Sequence, residues 1–352
     1  MAWGCPSRMS TPSLRGLQLA AYGAPALAPG TVWLPTITPL QRLRTVSVIL
    51  VCAFGPRSAC TSQVVSYFFL PPFTKRMTFQ EYSIADSVER FPSAWWLVEP
   101  VRDVLATTAS AVSSVRSALD DSDSEEVVKG ALQYARYKYA TEALVGEGLG
   151  HTTAEEMQYV ETMDPALMSK SQICSYNILM GLNFCLDGDH PLTVANIQKL
   201  HVIVGQDVVP NAGEFRKTYA APCDSAWTYK VPIAIQRCLD ALVEEMAALP
   251  PAATDEEMIK QATYFFSQLL MIHPFRDGNG RLARLCLSWL LKKHFVVPVS
   301  LRSSTPAGRE LYVACLEMVE RWRGTPCHLA RLVLESARKT ALSVAYSADV
   351  LV

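Results

Sequence analysis

The stretch 272–284 brings a potential base, a carboxylate and two arginines together within a few residues. His273 is the side chain there that titrates near neutral pH, so it is the candidate general base. Asp277 supplies hard oxygen ligands of the kind that Mg²⁺ prefers. Arg281 and Arg284 stand three residues apart and would share one helix face. Their forked guanidinium groups could hold phosphate oxygens there.

The glycine-rich centre of this stretch is suited to binding an anion through the backbone. Gly278 and Gly280 flank Asn279, and glycines tolerate positive φ and leave peptide N–H groups unshielded. Successive N–H groups from Gly278 to Arg281, at the start of a helix, would form a nest for an anion. A phosphate cradle beside a proton acceptor predicts phosphoryl or nucleotidyl transfer.

Two apolar helices are expected to position this loop. Thr254 with Glu257 fits a capping box, which starts the first helix. Apolar residues between Met258 and Leu270 then recur at helical spacing. The second helix follows the loop, with its buried stripe running from Leu282 to Leu290. The sequence therefore predicts a tight polar turn between two core helices.

The run His-Pro-Phe-Arg-Asp-Gly-Asn-Gly-Arg, at 273–281, resembles the core signature of the Fic family. Members commonly transfer AMP from ATP to a hydroxyl of a target protein. The resemblance implies a mainly α fold, a Fic-type helical bundle with a short β-hairpin flap. It implies ATP as co-substrate, Mg²⁺ on Asp277, and His273 as the base for a Ser, Thr or Tyr acceptor. It also implies phosphate contacts from Gly278, Asn279, Gly280, Arg281 and Arg284. Relatives that transfer phosphate carry a lysine where this chain has Gly280, so AMP transfer is expected.

Further resemblances indicate which residues form the flap and which residue contacts the adenine ring. Gly213-Glu214-Phe215-Arg216 is similar to the segment before the flap, and Thr218, Tyr219 and Ala220 would belong to the flap. Such a flap holds the target segment by strand addition. Arg216 could equally be a surface ion-pair partner. Tyr312 lies where relatives often place a tyrosine against adenine, although an aromatic residue on a helix can also be core.

Glu147-Gly148 resembles part of an inhibitory helix known in the family. The glutamate of that motif reaches the second arginine of the core signature and takes the place of the ATP γ-phosphate. Here Ala143 stands at the usual Ser or Thr position, so the motif is degenerate. We predict that Glu147 pairs with Arg284 and weakens productive binding of ATP. Its helix would be held more loosely than in relatives with the full motif. The alternative is a surface glutamate beside a glycine that caps the helix C-terminus.

Composition limits the class of protein and its partners. The chain has 352 residues, a net charge of −1 and 50% hydrophobic residues, which is enough for one or two domains with a sizeable core. The near-zero charge argues against nucleic acid as a partner. Ten scattered cysteines without a C-x-x-C pair indicate reduced thiols. The expected partners are ATP and a protein with a hydroxyl acceptor, with a homodimer left open.

The sequence divides into three parts. Residues 1–80 contain no acidic residue, and we expect them to be poorly ordered. They are either a targeting segment, which would indicate mitochondria, or a mis-assigned start upstream of Met77, with a cytoplasmic protein expected in that case. Residues 45–54 are apolar but too short to cross a membrane. We expect a helical lead-in and an acidic linker at residues 81–126. We expect the Fic domain, with its inhibitory helix, at residues 127–342.

The same residues leave three alternatives to compare. The site could hydrolyse AMP from a modified protein, with Glu147 orienting a water molecule. It could use another donor, UMP or phosphocholine, because the cradle contacts phosphates more than the base. A non-catalytic binding module is disfavoured, since no catalytic position is lost.

Overall fold

The computed structural model describes residues 79, 82–87, 100–121, 123–145, 152–221, 228–301, 306–321 and 326–349, all within the compact unit Met77–Val352. Within these ranges the chain forms α-helices joined by short turns. The helices are α1 (Val101–Asp120), α2 (Glu125–Val145), α3 (Ala154–Val160), α4 (Lys170–Asp187), α5 (Val194–Gly205), α6 (Ile235–Ala248), α7 (Asp255–Ile272), α8 (Asn279–Leu291), α9 (Pro306–Arg321) and α10 (Cys327–Ser347). Single 3-10 turns lie at Ile84–Ser87, Pro165–Leu167 and Pro232–Ala234.

The predicted mainly α class is confirmed. The described residues contain no regular strand, only one isolated antiparallel bridge between Phe215 and Phe275. The predicted segment 1–80 lies almost entirely outside the described residues.

Local sequence explains where several helices begin. A capping box satisfies two backbone N–H groups that would otherwise lack partners at a helix start. The predicted box at Thr254 and Glu257 is present at the start of α7. Thr193 is the N-cap of α5, where its side chain accepts a hydrogen bond from the Asn196 backbone. Further capping boxes begin α3, at Thr153 and Glu156, and α4, at Ser169 and Gln172.

Helix α8 is almost entirely buried. It packs against α7, α4 and α5, while α10 packs against α1, α2 and α7. Leu282, Leu285 and Cys286 of the predicted stripe are fully buried. Full burial of a leucine stabilises the fold by about 1.5–3 kcal/mol relative to exposure. The start of α8 is therefore held on several sides, and so is the polar loop that leads into it.

Two further observations concern composition. Each cysteine that the structure describes is a free thiol, as predicted from the spacing; these are Cys174, Cys185, Cys238, Cys286, Cys315 and Cys327. No helix in the described ranges combines the length and apolarity needed to cross a bilayer.

Candidate active site

His273 lies where α7 ends. Its φ of 50° and ψ of 61° are left-handed, and its backbone N–H donates to the Leu269 carbonyl at 3.0 Å. This conformation is uncommon for a residue other than glycine and turns the chain out of the helix. The imidazole stacks on the ring of Tyr229, with centroids 3.8 Å apart and planes 9° from parallel. The candidate base is thus fixed by its backbone and by an aromatic neighbour.

The environment of His273 keeps its ring neutral. Burial lowers the pKa of His273, and the positive charge of Arg216 lowers it further, to about 4. The Leu270 backbone and the carboxylate of Asp277 oppose this shift. A histidine must be unprotonated to accept a proton, so the ring is in its basic form throughout the physiological pH range.

Asn279 closes the loop that follows. Its side-chain oxygen accepts from the backbone N–H of Phe275 at 2.9 Å, and its amide donates to the Phe275 carbonyl at 2.8 Å. We predicted that Asn279 contacts phosphate, but its side chain is committed to the loop itself. A contact from this residue would therefore come from its backbone N–H in the first turn of α8, where helices lack a carbonyl partner.

Gly278 is required by its conformation and its surroundings. Its φ is 76°, and an added Cβ would lie 3.3 Å from His201 Nε2. Its N–H donates to Asp277 Oδ1 at 2.6 Å, so the predicted nest of Gly278 to Arg281 is already occupied at its first position. The amides of Asn279 and Gly280 remain in place for an anion at the start of α8.

The charged residues of the signature point in two directions. Arg281, only 2% exposed, lies 3.5 Å from Asp277 Oδ1, whereas the Asp277 side chain is 69% exposed. Arg284 is also buried and donates to the Ala143 carbonyl of α2 at 3.1 Å. The two arginines share the buried face of α8, as predicted, and Asp277 stands at the solvent side.

The contact between Arg284 and Ala143 bears on the predicted inhibition. Ala143 lies in the last turn of α2, and the C-terminus of a helix carries partial negative charge. The end of this helix therefore already meets the second arginine of the signature. Glu147 falls outside the described residues, so its predicted pairing with Arg284 stays a prediction.

Arg216 is buried beside His273, and the alternative of a surface ion-pair partner is wrong. Its side chain is 5% exposed and donates only to backbone carbonyls in the contacts described. Nε donates to the His273 carbonyl at 2.6 Å, and Nη1 to Thr218 at 2.8 Å. Nη2 donates to Ile272 at 3.3 Å and also to Lys230. One side chain thus binds the end of α7 and both arms of the predicted flap, which are residues 216–221 and 228–230.

The segment predicted to be the flap contains no regular strand in the described residues, so the β-hairpin stays a prediction. The N–H of Tyr229 donates to the Ala220 carbonyl at 3.1 Å and joins the two arms. Tyr219 is 76% exposed, and residues 222–227 at the tip lie outside the described ranges. Arg216 N–H donates to Pro274 at 2.9 Å, so the first arm runs beside the loop.

Tyr312 lies in the hydrophobic core. It is 9% exposed, and its ring is tilted against Phe266 of α7 with centroids 6.3 Å apart. Little of the ring is available to stack on a nucleotide base. The core position, which the sequence left open as the alternative, is the one that the structure describes.

Sequence reasoning missed two contributors to the site. His201 is buried in α5 and bonds the backbone on both sides of the site. Tyr229 was not singled out, although it covers one face of the candidate base. No local pattern marks either residue, because their partners lie 76 and 44 positions away along the chain.

The shifted pKa of His273 gives a prediction for pH. With a pKa of about 4 in the folded protein, we expect kcat/KM to stay level as pH falls from about 7 to 5. An ordinary histidine, with a pKa of 6.5, would lose most of its basic form over that range. The same shift makes unfolding easier below pH 6.5, since the unfolded chain then binds more protons. A pH–rate profile with an acid limb near 6.5 would contradict this.

One comparison with known proteins matches the stretch of the chain that contains the loop. Residues 191–291 match the family model described as the Fic/DOC family. The chain is 34% identical over 109 residues to a probable protein adenylyltransferase of Sinorhizobium fredii, covering 30% of this chain and 55% of that one. It is 31% identical over 127 residues to a uridine 5'-monophosphate transferase of Xanthomonas campestris, covering 31% and 22%. It is also 30% identical over 128 residues to a ribonucleoside-diphosphate reductase small chain of Ostreid herpesvirus 1, covering 33% and 21%.

The fold has solved counterparts. A Fic family protein from Desulfovibrio desulfuricans gives a TM-score of 0.56 at 15% identity, covering 72% of this chain and 77% of that one. Fic-1 from C. elegans gives 0.52 at 19% identity, covering 70% and 74%. The chain spans between about a fifth and about half of the curated relatives named above. Residues 191–291, which contain the loop, match the Fic/DOC family model, and the chain contains a Fic/DOC domain there.

Proposed function

We propose that the chain is a protein adenylyltransferase, which transfers AMP from ATP to a Ser, Thr or Tyr hydroxyl of a target protein. The observation that carries the proposal is a neutral His273, stacked on Tyr229, at a loop that opens the buried helix α8. A proton acceptor beside a helix N-terminus supports the proposal, because such an N-terminus favours the binding of phosphate. The adenylyltransferase name of the Sinorhizobium relative supports the same chemistry.

The reaction follows from these residues. His273 takes the proton of the acceptor hydroxyl as its oxygen attacks the α-phosphorus. The new oxygen–phosphorus bond forms as the bond to the β-phosphate oxygen breaks, and pyrophosphate leaves. Backbone N–H groups of Asn279 and Gly280, with the positive charge of Arg281, stabilise the charge that develops on the phosphates.

The residues present fit a magnesium ion bound together with ATP. Mg²⁺ is usually held by one or two carboxylates plus substrate phosphates, and the largely exposed carboxylate of Asp277 is one such ligand. The described residues offer no cluster of three metal-binding side chains, so a dedicated all-protein site is not expected among them. When bound, the ion would neutralise charge on the phosphates.

Intact-protein mass spectrometry with ATP and Mg²⁺ tests the proposal directly. The protein is incubated with ATP labelled at either the α- or the γ-phosphate, with itself or a lysate as acceptor. We expect retention of the α-label only, and an adduct with the mass of AMP. Retention of the γ-label would indicate phosphate transfer, and binding of ATP without any adduct would indicate a non-catalytic module.

Two further arms of the experiment test the alternatives, one with UTP and one with a target modified beforehand. A UMP adduct that forms faster from UTP would favour the donor named for the Xanthomonas relative. Release of AMP from a target modified beforehand would favour hydrolysis. The core position of Tyr312 gives no evidence for selection of adenine, so UTP is a necessary arm of the test.

We further propose that Glu147 inhibits the site through Arg284. Support comes from the end of α2, which already bonds Arg284 through Ala143 four residues before Glu147. Like charges in contact cost several kcal/mol, so a carboxylate next to Arg284 would oppose the γ-phosphate. We expect Glu147→Gly to raise self-labelling by about tenfold or more.

A matched control separates this effect from a general change in α2. Glu142 lies in the same last turns and bonds the Ser300 hydroxyl at 3.1 Å. Glu142→Gln removes one charge there and is expected to leave labelling within about twofold, as for most surface substitutions. Equal gains in both variants, or no gain from Glu147→Gly, would overturn the assignment.

A further inference from the structure

His201 joins the two backbone segments between which the proposed reaction takes place. It lies in α5, is 1% exposed and uses both ring nitrogens. The N–H of Gly213, which precedes the flap, donates to Nδ1 at 2.8 Å. Nε2 lies 2.9 Å from the carbonyl oxygen of Asp277, next to Gly278.

These two partners determine where the ring proton lies. The Gly213 N–H can only donate, so Nδ1 must be an unprotonated acceptor. The Asp277 carbonyl can only accept, so Nε2 must carry the hydrogen. One neutral tautomer satisfies both bonds, and the second bond fixes it.

The ring is also held from its face. It stacks on Phe275 with centroids 3.7 Å apart and planes 6° from parallel. Phe275 in turn forms the backbone bridge to Phe215 in the first arm of the flap. Both glycines beside the hydrogen-bonded groups, Gly213 and Gly278, have positive φ, at 88° and 76°. The ring thus joins two tight turns directly, beside the Phe215–Phe275 bridge and the Arg216 backbone bond to Pro274.

We infer that His201 is a positioning residue that sets the flap, and with it the acceptor hydroxyl, relative to the loop that holds the phosphates. The inference rests on the proposed function for its kinetic consequence. His201 is buried and acts through the Gly213 and Asp277 backbones. A displacement of about 1 Å between reacting groups can cost about 10²-fold in rate, so two lost bonds at this junction matter for catalysis.

The main variants separate hydrogen bonding from packing. His201→Phe keeps an aromatic ring on Phe275 but loses both hydrogen bonds. His201→Gln offers one acceptor and one donor, which can take the places of Nδ1 and Nε2. With a target peptide as acceptor, we expect His201→Phe to reduce kcat by about tenfold or more, and His201→Gln to recover part of the loss. As a control, His328→Phe removes another buried histidine, in α10, and should leave kcat unchanged.

Two readouts do not depend on activity. The nitrogen chemical shifts of His201 should show a neutral ring with hydrogen on Nε2. Hydrogen exchange of the Gly213 amide should be slow in the wild type and at least about tenfold faster in His201→Phe. If the wild type transfers nothing, the proposed function fails while these two readouts still decide the inference. Hydrogen on Nδ1, or equal exchange of the Gly213 amide in both proteins, would overturn it.

Discussion

Replacement of His273 by alanine should reduce AMP transfer by about 10²–10⁴-fold, the usual contribution of a general base. The acceptor hydroxyl is a weak nucleophile until its proton is removed, and His273 is held neutral for that purpose by burial and by Arg216. The measurement is the initial rate of label incorporation from α-labelled ATP at saturating donor.

The backbone of His273 makes a second substitution necessary. Its φ of 50° is left-handed, and alanine tolerates that region less well than asparagine does. His273→Asn retains the turn while removing the base, and it should lose as much activity as His273→Ala. An unchanged melting temperature for His273→Asn would show that the loss is chemical.

A histidine outside the site provides the comparison. His190 stacks on Phe184 at 4.1 Å, with planes 13° from parallel, in the turn after α4. His190→Ala removes an imidazole from an aromatic stack, as His273→Ala does, but it should leave the transfer rate within about twofold, as expected away from a functional site. Wild-type labelling by His273→Asn would remove the basis of the proposed function.

The elements that carry the loop could be predicted because their signals are local. Thr254 and Glu257 cap α7 through neighbouring backbone groups, and the apolar stripe of α8 is read from residues three and four apart. Short separation along the chain makes such contacts visible in the sequence.

The arrangement of the site could not be predicted in the same way. Tyr229 reaches His273 from the second arm of the flap, and His201 reaches Asp277 from another helix. These contacts depend on how α5, the flap and α7 pack, which periodicity does not specify. Asn279 shows a different limit, since its side chain could equally have faced a ligand or the loop. The choice is made by the geometry of the turn.

Arg216 is the second position where a large loss is expected. Arg216→Met retains much of the apolar stem but removes donors to carbonyls at the end of α7 and in both arms of the flap. Each hydrogen bond from a charged group contributes about 1.5–3 kcal/mol, and acceptors left buried add to the cost. We expect the free energy of unfolding to fall by about 3 kcal/mol or more.

The catalytic consequence should exceed the loss of stability. Arg216 Nε bonds the carbonyl of His273 itself, and Nη1 and Nη2 hold the arms at Thr218 and Lys230. Without Arg216, no single side chain fixes the position of the flap relative to His273. We expect transfer to a target protein to fall by about 10²-fold, as for a displacement of about 1 Å between reacting groups.

The neighbouring residue makes a matched control. The Lys217 side chain is 88% exposed and lies 3.7 Å from Glu214. Lys217→Met therefore removes a positive charge from the same segment and leaves the hydrogen bonds of Arg216 in place. Exposed ion pairs contribute about 0–1 kcal/mol, and both stability and transfer should stay close to the wild type. Unfolding and labelling are measured on both variants below the melting temperature of Arg216→Met. If Arg216→Met remains folded and labels as fast as Lys217→Met, the flap does not need the hydrogen bonds of Arg216. The acceptor must then be positioned by the loop alone.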